Sequence, residues 1–457
     1  MAYKNFSTEQ MQSVDHAHHM HPFTDHDDLH AQKVRVITGA EGHYIKDSEG
    51  RSILDAMAGL WCVNVGYGRE ELARAAYDQM VELPYYNTFF KTTHPPVALL
   101  AKRIAELAPE GLNQVFFGAS GSESNDTAIR TVRHFWSLQG KPEKHIIISR
   151  HDAYHGSTIA ATSMGGMGAM HGQLGPMLPG FRHVMAPYPF ELADEGESDE
   201  AFGLRAAAAV EEAILDAGPE NVAAFVGEPI QGAGGVKIPP SSYWPEIQRI
   251  CRKYDVLLMI DEVITGFGRT GTWFACESMG IESDTITIAK AVTSGYQPLS
   301  AVILNDRMRD VLYSHGEYYH GYTYSGHPVA CAVALANLDI IEREGLIERV
   351  RTDTGPYLVE KFRSELADRP LVGEVRGFGL LAGIEVVKDP KPLERFEPAG
   401  SAAALVRDHS IAEGMMMRAV GDTLILSPPL TWTRETIDEA CRIAKVALDK
   451  AAQELLK

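Results

Sequence analysis

The hydrophobic positions of this chain form short continuous runs that alternate with amphipathic stretches. Six of the runs predict strands, at residues 115–117, 146–149, 223–226, 256–260, 285–289 and 301–304. Because most of them are apolar throughout rather than alternating, they are typical of strands covered on both faces of a mainly parallel sheet. Residues 206–215 and 242–254, between the strands, have the apolar spacing of amphipathic helices. This rhythm predicts a doubly wound α/β core.

The two ends of the chain have a different texture. We expect residues 1–60 to be irregular, apart from a two-stranded element around 34–37 and 44–47. After a long segment over 329–363, glycine-rich short strands at 373–387 and a helix from Arg434 predict a smaller α+β domain. This pattern divides the chain into an N-terminal segment of the small domain (1–60), a large domain (61–330) and a C-terminal small domain (331–457). The acidic stretch 191–200 is predicted to be a surface loop.

Composition excludes several classes of partner. The 457 residues include 42 Lys and Arg against 61 Asp and Glu, a net charge of −19, which argues against binding to nucleic acid or to an anionic membrane. No apolar run approaches the roughly 20 residues of a membrane span, and no signal-peptide pattern is present. The five cysteines, odd in number and without a C-x-x-C pair, predict reduced, mostly buried thiols in a cytoplasmic protein.

Polar side chains recur directly after the predicted strands. They are Ser120-Gly121-Ser122, the segment 151–155, Glu228, Asp261 and Lys290. In open α/β sheets the ligand crevice lies beyond the carboxyl ends of the strands, so these five segments indicate a single site. A lysine and an aspartate in one crevice suit pyridoxal phosphate (PLP): the lysine would form a Schiff base, and the aspartate would hold a proton on the ring nitrogen.

Several of these motifs also have a structural interpretation. Ser120 to Glu123, at the start of a predicted helix, favours either a phosphate seat or a capping box. Tyr154 favours either stacking on a pyridine ring or packing in a loop. Glu228 fits a cap, an ion pair or a site residue. From the residues alone, these alternatives stay open.

Other patterns are interpreted as structural. Asp261-Glu262 resembles a Walker-B acidic pair, but the P-loop that such a pair needs is absent. Residues 266–271 spell G-x-G-x-x-G after a strand, yet the following residues look extended or irregular, so no dinucleotide site is predicted. Arg418 ends a hydrophobic run, where a stabilising ion pair is the default. The N-terminal histidines lack the ligand spacing of a metal site and are expected to be solvated or packed; they are His16, His18, His19 and His21.

Taken together, the sequence resembles the class III PLP-dependent aminotransferases, specifically the amine (ω-amino):pyruvate transaminase branch. The matching stretches run in the same order along nearly the whole chain. They are LDAMAGLW at 54–61, SGSE at 120–123, AYHG at 153–156, EP at 228–229 with GAGG at 232–235, DEV at 261–263 with GFGRTG at 266–271, Lys290, HGYTYSGHP at 320–328, and Arg418 ahead of SPP at 427–429.

The resemblance implies fold type I of the PLP-dependent transferases: a mainly parallel seven-stranded sheet in a large PLP-binding domain, and a smaller α+β domain. It implies a homodimer, possibly a tetramer, with an active site shared between subunits. The implied reaction moves an amino group from an amine to pyruvate by a ping-pong mechanism and yields alanine and an aldehyde or ketone. Compatible donors are putrescine and other polyamines, taurine, β-alanine and aryl-alkyl amines. A class III aminomutase, racemase or dialkylglycine-type decarboxylase uses the same catalytic pair, and a PLP-binding regulator without turnover is a more remote alternative.

The resemblance also implies residue roles, with Lys290 and Asp261 as the catalytic pair. The expected cofactor-binding residues are Ser120, Gly121, Ser122, Tyr154, His155, Glu228, Asp261, Val263, Lys290 and, from the partner subunit, Thr323. The expected substrate-binding residues are Phe23, Trp61, Phe89, Phe90, Ala233, Tyr322 and Arg418, the last for the acceptor carboxylate. Phe90 and Tyr322 are expected from the neighbouring subunit. Two positions depart from the family pattern, because Ser124 replaces a common alanine and Ala291 a common glycine.

Overall fold

The structure is a computed structural model that describes residues 6–457; residues 1–5 of the predicted N-terminal segment lie outside the described residues. In chain order, the strands are β1 (Ile37–Glu41), β2 (Tyr44–Asp47), β3 (Ser52–Asp55), β4 (Leu112–Gly118), β5 (Ile146–Arg150), β6 (Phe181–Val184), β7 (Val222–Gly227), β8 (Leu257–Asp261), β9 (Thr285–Ile288), β10 (Ser300–Asn305), β11 (Val372–Phe378), β12 (Leu381–Val386), β13 (Asp389–Pro390), β14 (Leu393–Glu394), β15 (Met415–Met416), β16 (Arg418–Val420) and β17 (Thr423–Leu426).

The helices connect and cover these strands. They are α1 (Thr8–His18), α2 (His26–Gln32), α3 (Ala58–Trp61), α4 (Glu70–Glu82), α5 (Pro95–Leu107), α6 (Gly121–Leu138), α7 (Ile159–Met164), α8 (Gly168–Leu174), α9 (Pro189–Leu192), α10 (Asp199–Ala217), α11 (Tyr243–Lys253), α12 (Ala275–Met279), α13 (Asp306–Ser314), α14 (Pro328–Arg343), α15 (Leu346–Arg349), α16 (Gly355–Leu366), α17 (Ser401–Ala412) and α18 (Arg434–Leu455). Among residues 6–457, no helix combines the length and the apolar character that crossing a membrane requires.

A seven-stranded sheet lies at the centre, in the order β4-β10-β9-β8-β7-β5-β6. β10 is antiparallel to both of its neighbours, whereas the remaining neighbours pair in parallel. The predicted mainly parallel, seven-stranded sheet is therefore confirmed. β6 was not among the six strands predicted from apolar runs, because this edge strand reads Phe-Arg-His-Val and is largely half-buried.

Alternating strand residues face two separate cores. On β8, Leu258 and Ile260 pack in one core, which includes α10 and α11, and Leu257 and Met259 pack in the other, which includes α6. Since successive strand side chains point to opposite faces, a strand covered by helices on both sides must be apolar at every position. This is the reason why β7, β8 and β9 are buried along their whole length.

Two four-stranded sheets, in the orders β1-β2-β3-β15 and β11-β12-β17-β16, and the two-stranded β13-β14 sheet complete the fold. β3 pairs in parallel with β15, with Leu54 opposite Met415. The N-terminal strands therefore pack with the C-terminal part of the chain, which supports the predicted small domain; the domain boundaries themselves stay a prediction.

Three expectations for secondary structure were wrong. Residues 1–60 were expected to be irregular apart from one strand pair, but α1 and α2 form there. Neither helix buries a residue, so the sequence has no apolar pattern that would predict them. The first strand begins at Ile37 and runs to Glu41 instead of covering 34–37. The acidic stretch 191–200 includes the end of α9 and the start of α10, so only 193–198 lies outside helices.

Candidate active site

A cavity of about 290 Å³ opens beyond the carboxyl ends of the central strands. Five segments reach it, each directly after β4, β5, β7, β8 or β9. Nine of the predicted site residues line it: Ser120, Gly121, Ser122, Tyr154, His155, Glu228, Asp261, Val263 and Lys290. As the crevice rule for open α/β sheets predicts, these side chains lie together beyond the strand ends.

Asp261, the last residue of β8, is buried in a network of hydrogen-bond donors. Its Oδ2 atom is 2.8 Å from Nδ1 of His155 and accepts a 2.8 Å hydrogen bond from Nδ2 of Asn125. Oδ1 accepts from the backbone N–H of Val263 at 3.1 Å. Burial disfavours the charged carboxylate, but the donors outweigh it and hold the pKa of Asp261 below its usual value. The site therefore contains a fixed negative charge.

Lys290 begins a short 3-10 turn immediately after β9. Its φ of 49° lies in the left-handed region, a strained conformation that functional sites often retain. Within the described residues, its amino group has neither a hydrogen-bond nor an ion-pair partner. Burial lowers the pKa of Lys290, although Cys62, Asp261 and Glu228 act in the opposite direction. The side chain is thus an amine with an enhanced neutral fraction.

The start of α6 forms one wall of the cavity. Ser120 caps this helix in a complete capping box with Glu123, so the structural interpretation of this motif is correct. The cap leaves the first amide groups of α6 at the cavity, where they can still bind an anion. Gly121 lies so close to Val263 that an added Cβ would be 3.3 Å from its methyl groups. The Ser122 hydroxyl accepts a 3.0 Å hydrogen bond from the backbone of Ser157.

Glu228 holds two loops of the site together. Its carboxylate accepts hydrogen bonds from the backbone N–H groups of Tyr154, at 3.2 Å, and Gly232, at 2.9 Å. Burial raises the pKa of Glu228. A Cβ added at Gly232 would be 3.3 Å from the ring of Trp61, and Trp61 packs with Ala233 in an apolar cluster beside the cavity, which neither of them lines. This acid therefore fixes the backbone against which Trp61 packs.

Arg418, the first residue of β16, stands apart from the residues that line the cavity but influences them. It is half-buried, and no ion-pair or hydrogen-bond partner exists for its side chain within residues 6–457. The expectation of a stabilising ion pair is therefore wrong. Burial lowers the pKa of Arg418, while Tyr154 acts in the opposite direction. Its charge also contributes to lowering the pKa of Lys290, which places the guanidinium within electrostatic reach of the cavity.

The structure does not bring all predicted pocket residues to this cavity. Phe23 is near it, with its ring centroid 6.3 Å from that of Tyr154. Four others do not line it and lie on another surface, where an added Cβ on Gly321 would be 2.6 Å from the ring of Phe89. The hydroxyl of Tyr85 donates to the backbone oxygen of Thr323 at 2.6 Å on that surface. We call it the aromatic surface; its predicted members are Phe89, Phe90, Tyr322 and Thr323.

Two residues that the sequence patterns did not single out also line the cavity. Asn125 is buried and bridges the Asp261 carboxylate and the backbone oxygen of His155, at 2.8 and 2.7 Å. A polar residue inside the apolar face of α6 was the available signal. Cys62 lines the cavity, and burial raises the pKa of its thiol.

The residues present fit PLP. The cavity combines an unpaired lysine amine, a buried carboxylate and the N-terminus of α6, as the aldehyde, the ring nitrogen and the phosphate of this cofactor require. The fit is further supported by a buried atom without a partner, Nε2 of His155, in the network around the carboxylate. Gly156 leaves no room for a side chain, because a Cβ there would be 2.6 Å from the Ser122 hydroxyl.

Comparison with known proteins agrees with this geometry. The sequence matches the family described as Aminotransferase class-III over residues 27–448. The chain belongs to the class III aminotransferases. This aminotransferase is 53% identical over 452 residues to a putrescine–pyruvate aminotransferase of Pseudomonas aeruginosa, covering 99% of this chain and 98% of the relative. It is 45% identical to a diaminobutyrate–2-oxoglutarate transaminase of Halomonas elongata, covering 93% and 92% of the two chains.

Solved structures confirm the type I fold of this class III aminotransferase. An (S)-enantioselective ω-transaminase from Thermomicrobium roseum superposes with a TM-score of 0.95 at 44% identity, covering 98% of this chain and 99% of the other. An ω-transaminase from Pseudomonas jessenii in complex with PMP superposes with a TM-score of 0.95 at 39% identity, covering 97% and 99%. Class III aminotransferases use PLP, and the enzyme is therefore PLP-dependent.

Both departures from the family pattern are accommodated in the aminotransferase. The Ser124 hydroxyl donates to that of Ser300 at 2.7 Å, which in turn donates to the backbone oxygen of Ser120 at 2.8 Å, so the serine secures the start of α6. Ala291 does not require glycine, because the left-handed positions of this turn are Lys290, Ser294 and Gly295. Its methyl group lies in the main core.

Proposed function

We propose that this enzyme transfers an amino group from a primary amine to pyruvate. Arg418 carries the proposal, because a half-buried guanidinium without a protein partner is costly unless it binds an anion. A guanidinium pairs with a carboxylate through two parallel hydrogen bonds, as recognition of a 2-oxo acid requires. The apolar cluster that contains Trp61 and Ala233, beside the cavity, suits a donor that lacks a carboxylate. The putrescine–pyruvate relative supports pyruvate as acceptor and makes a diamine the first donor to test.

The side chains of the cavity divide the chemistry between them. PLP, when bound, supplies an electron sink for negative charge on the donor carbon. We propose that Asp261 keeps the ring nitrogen protonated, since its carboxylate is held in the charged form. Lys290 would anchor the cofactor and then move a proton at the donor carbon, for which its neutral amine is the competent base. Gly121 and Ser122 would hold the phosphate, and the ring of Tyr154 would cover one face of the cofactor, opposite Val263.

The two half-reactions make different demands on Arg418. Donor and acceptor occupy one cavity in turn, so ping-pong kinetics are expected. Arg418 would bind the acceptor carboxylate and contribute little while a simple amine reacts. Alanine and an aldehyde or ketone are the expected products.

We propose that the active form is a homodimer in which the aromatic surface completes the partner's cavity. Phe90 is 91% exposed, and Tyr85, Tyr86 and Tyr324 are exposed nearby, an apolar cluster of the kind found at protein interfaces. Light scattering distinguishes a dimer from a tetramer. Mixing inactive Lys290→Ala subunits with Tyr322→Ala subunits should restore activity if each cavity uses both chains; no recovery in proven mixed dimers contradicts sharing.

Cytoplasmic location stays a prediction that rests on the free thiols.

A donor panel with pyruvate tests the proposed reaction. Putrescine, taurine, β-alanine and an aryl-alkyl amine are incubated in turn with the PLP-loaded enzyme, and alanine is quantified. We expect alanine with at least one donor and no turnover in Lys290→Ala, whereas the surface control Lys253→Ala should keep full activity. If no donor yields alanine, a class III aminomutase, racemase or decarboxylase is favoured, and product analysis separates these. Cofactor binding without any turnover would indicate a regulator.

A further inference from the structure

Three side chains able to bind a metal meet where the first helix ends. Asp15 lies near the end of α1, His19 follows that helix and His21 lies two residues further on. Nδ1 of His19 is 2.9 Å from Oδ1 of Asp15, and Nε2 of His21 is 2.7 Å from Oδ2 of the same carboxylate. All three ligand atoms lie within 4.8 Å of one another. The histidines alone lack the spacing of a metal site, and the carboxylate that joins them lies one helical turn before His19.

The donor set matches a transition-metal site. Two imidazole nitrogens and one carboxylate oxygen are a known ligand combination for Zn²⁺, with bonds of about 2.0–2.2 Å. Ligand atoms around a tetrahedral ion are consequently about 3.4 Å apart. That spacing is wider than the 2.9 and 2.7 Å contacts of this cluster and narrower than the 4.8 Å within which all three ligand atoms lie. A small opening of the cluster would admit an ion. Each imidazole would keep its proton on the nitrogen that faces away from the metal.

The backbone presents these ligands in a defined turn. The backbone N–H of His19 donates to the carbonyl oxygen of Asp15 at 2.9 Å, and that of His21 donates to Nε2 of His26 at 3.1 Å. Asp25 then caps α2. The side chain of His19 is 58% exposed, against 23% for Asp15 and 18% for His21. The cluster is therefore open to solvent on one side and sheltered on the other.

We propose that Asp15, His19 and His21 bind one divalent transition-metal ion, for which Zn²⁺ is the best match, with water in the remaining position. None of the three lines the catalytic cavity, so the ion would be structural. Phe23 follows His21 by two residues and contacts the ring of Tyr154. An ion on His21 would thus restrain the turn that carries Phe23 at the edge of the active site.

Calorimetric titration of the untagged, PLP-loaded enzyme with Zn²⁺ tests the proposal after chelator treatment. We expect one ion per subunit, with affinity lowered more than about tenfold in His19→Ala and in His21→Ala. Substitution of a residue that only supports a metal ligand already lowers metal affinity about tenfold or more, so loss of a ligand should do at least as much. His18→Ala is the matched control: it removes an exposed histidine of the same segment and should bind as the wild type does.

A second measurement follows the turn itself. Hydrogen exchange of residues 15–30 should slow when Zn²⁺ is added to the wild type and to His18→Ala, but not when it is added to His21→Ala. Absence of stoichiometric binding, or equal binding by wild type and His21→Ala, overturns the site. Neither readout uses the amine:pyruvate reaction, so failure here leaves the proposed function untouched.

Discussion

Asn125→Ala probes how the Asp261 charge is maintained. The substitution removes one of the three donors that hold this carboxylate, along with a hydrogen bond to the backbone oxygen of His155. A hydrogen bond to a charged group contributes about 1.5–3 kcal/mol. Losing a donor to the charged form favours the neutral form, so the pKa of Asp261 should rise. A less firmly charged carboxylate would hold the ring-nitrogen proton less well.

The expected kinetic result is a loss in kcat rather than in KM. If the lost interaction is felt in full at the transition state, 1.5–3 kcal/mol corresponds to a fall in kcat of about 10- to 150-fold in the donor half-reaction. The rate of this half-reaction is measured from the absorbance change of the cofactor in a stopped-flow instrument. The acid limb of the pH–kcat profile should move to higher pH, because Asp261 would be protonated earlier as the pH falls. A residue that merely supported the fold would lower the amount of active enzyme without moving that limb.

The matched control is Asn113→Ala. Asn113 also donates to an aspartate, with Nδ2 3.0 and 3.1 Å from the carboxylate oxygens of Asp306, but this pair is exposed on the surface. Its kinetics should equal those of the wild type. An Asn125→Ala enzyme with an unshifted acid limb and a kcat within twofold of the wild type would refute the role given to Asn125.

Three further predictions follow from other contacts. Arg418→Ala should lower kcat/KM for pyruvate about 100-fold or more, since two charge-assisted hydrogen bonds at about 1.5 kcal/mol each are lost; the half-reaction with a simple amine and the surface control Arg434→Ala should not change, and equal loss in both halves contradicts the assignment. Because burial lowers the pKa of Lys290, the apoenzyme should take up PLP with a rate that rises with pH to a midpoint below 10.5, whereas a midpoint at or above that value contradicts the lowered pKa. Arg376→Met should lower the free energy of unfolding by about 1.5–3 kcal/mol, because Glu385 loses one charge-assisted hydrogen bond but keeps Arg395. Denaturant titration measures this; the double variant with Glu385→Leu should lose less than the sum of the two single losses, and additive losses would show that the two residues do not interact.

Apolar runs were a sufficient guide to the sheet because strands covered on both faces must be apolar throughout. The same physics predicted that the candidate site residues would meet, since polar side chains at the ends of such strands have one crevice to enter. Signals of this kind are lost where burial is partial. β6 lies at the sheet edge and is largely half-buried. α1 has no buried face and is stabilised by its capping box, in which the side chains of Ser7 and Gln10 each hydrogen-bond to the other's backbone.

The details of the site depend on contacts between distant segments, which sequence spacing does not reveal. Asn125 looked like part of a helix pattern until the fold set it against Asp261. Arg418 looked like a structural ion pair, and only the folded chain leaves its guanidinium without a partner. The cluster of Asp15, His19 and His21 likewise could not be predicted without knowing where α1 ends and how the following turn is folded.

The parallel pairing of Leu54 with Met415 has a consequence for synthesis of the chain. β3 emerges from the ribosome early, but its partner β15 is translated near the end. Throughout that interval one edge of β3 exposes unpaired backbone groups, a surface to which other chains can add. Nascent chains stopped before residue 415 should therefore need chaperones more than full-length chains do, and slow elongation over the last part of the message should favour aggregation.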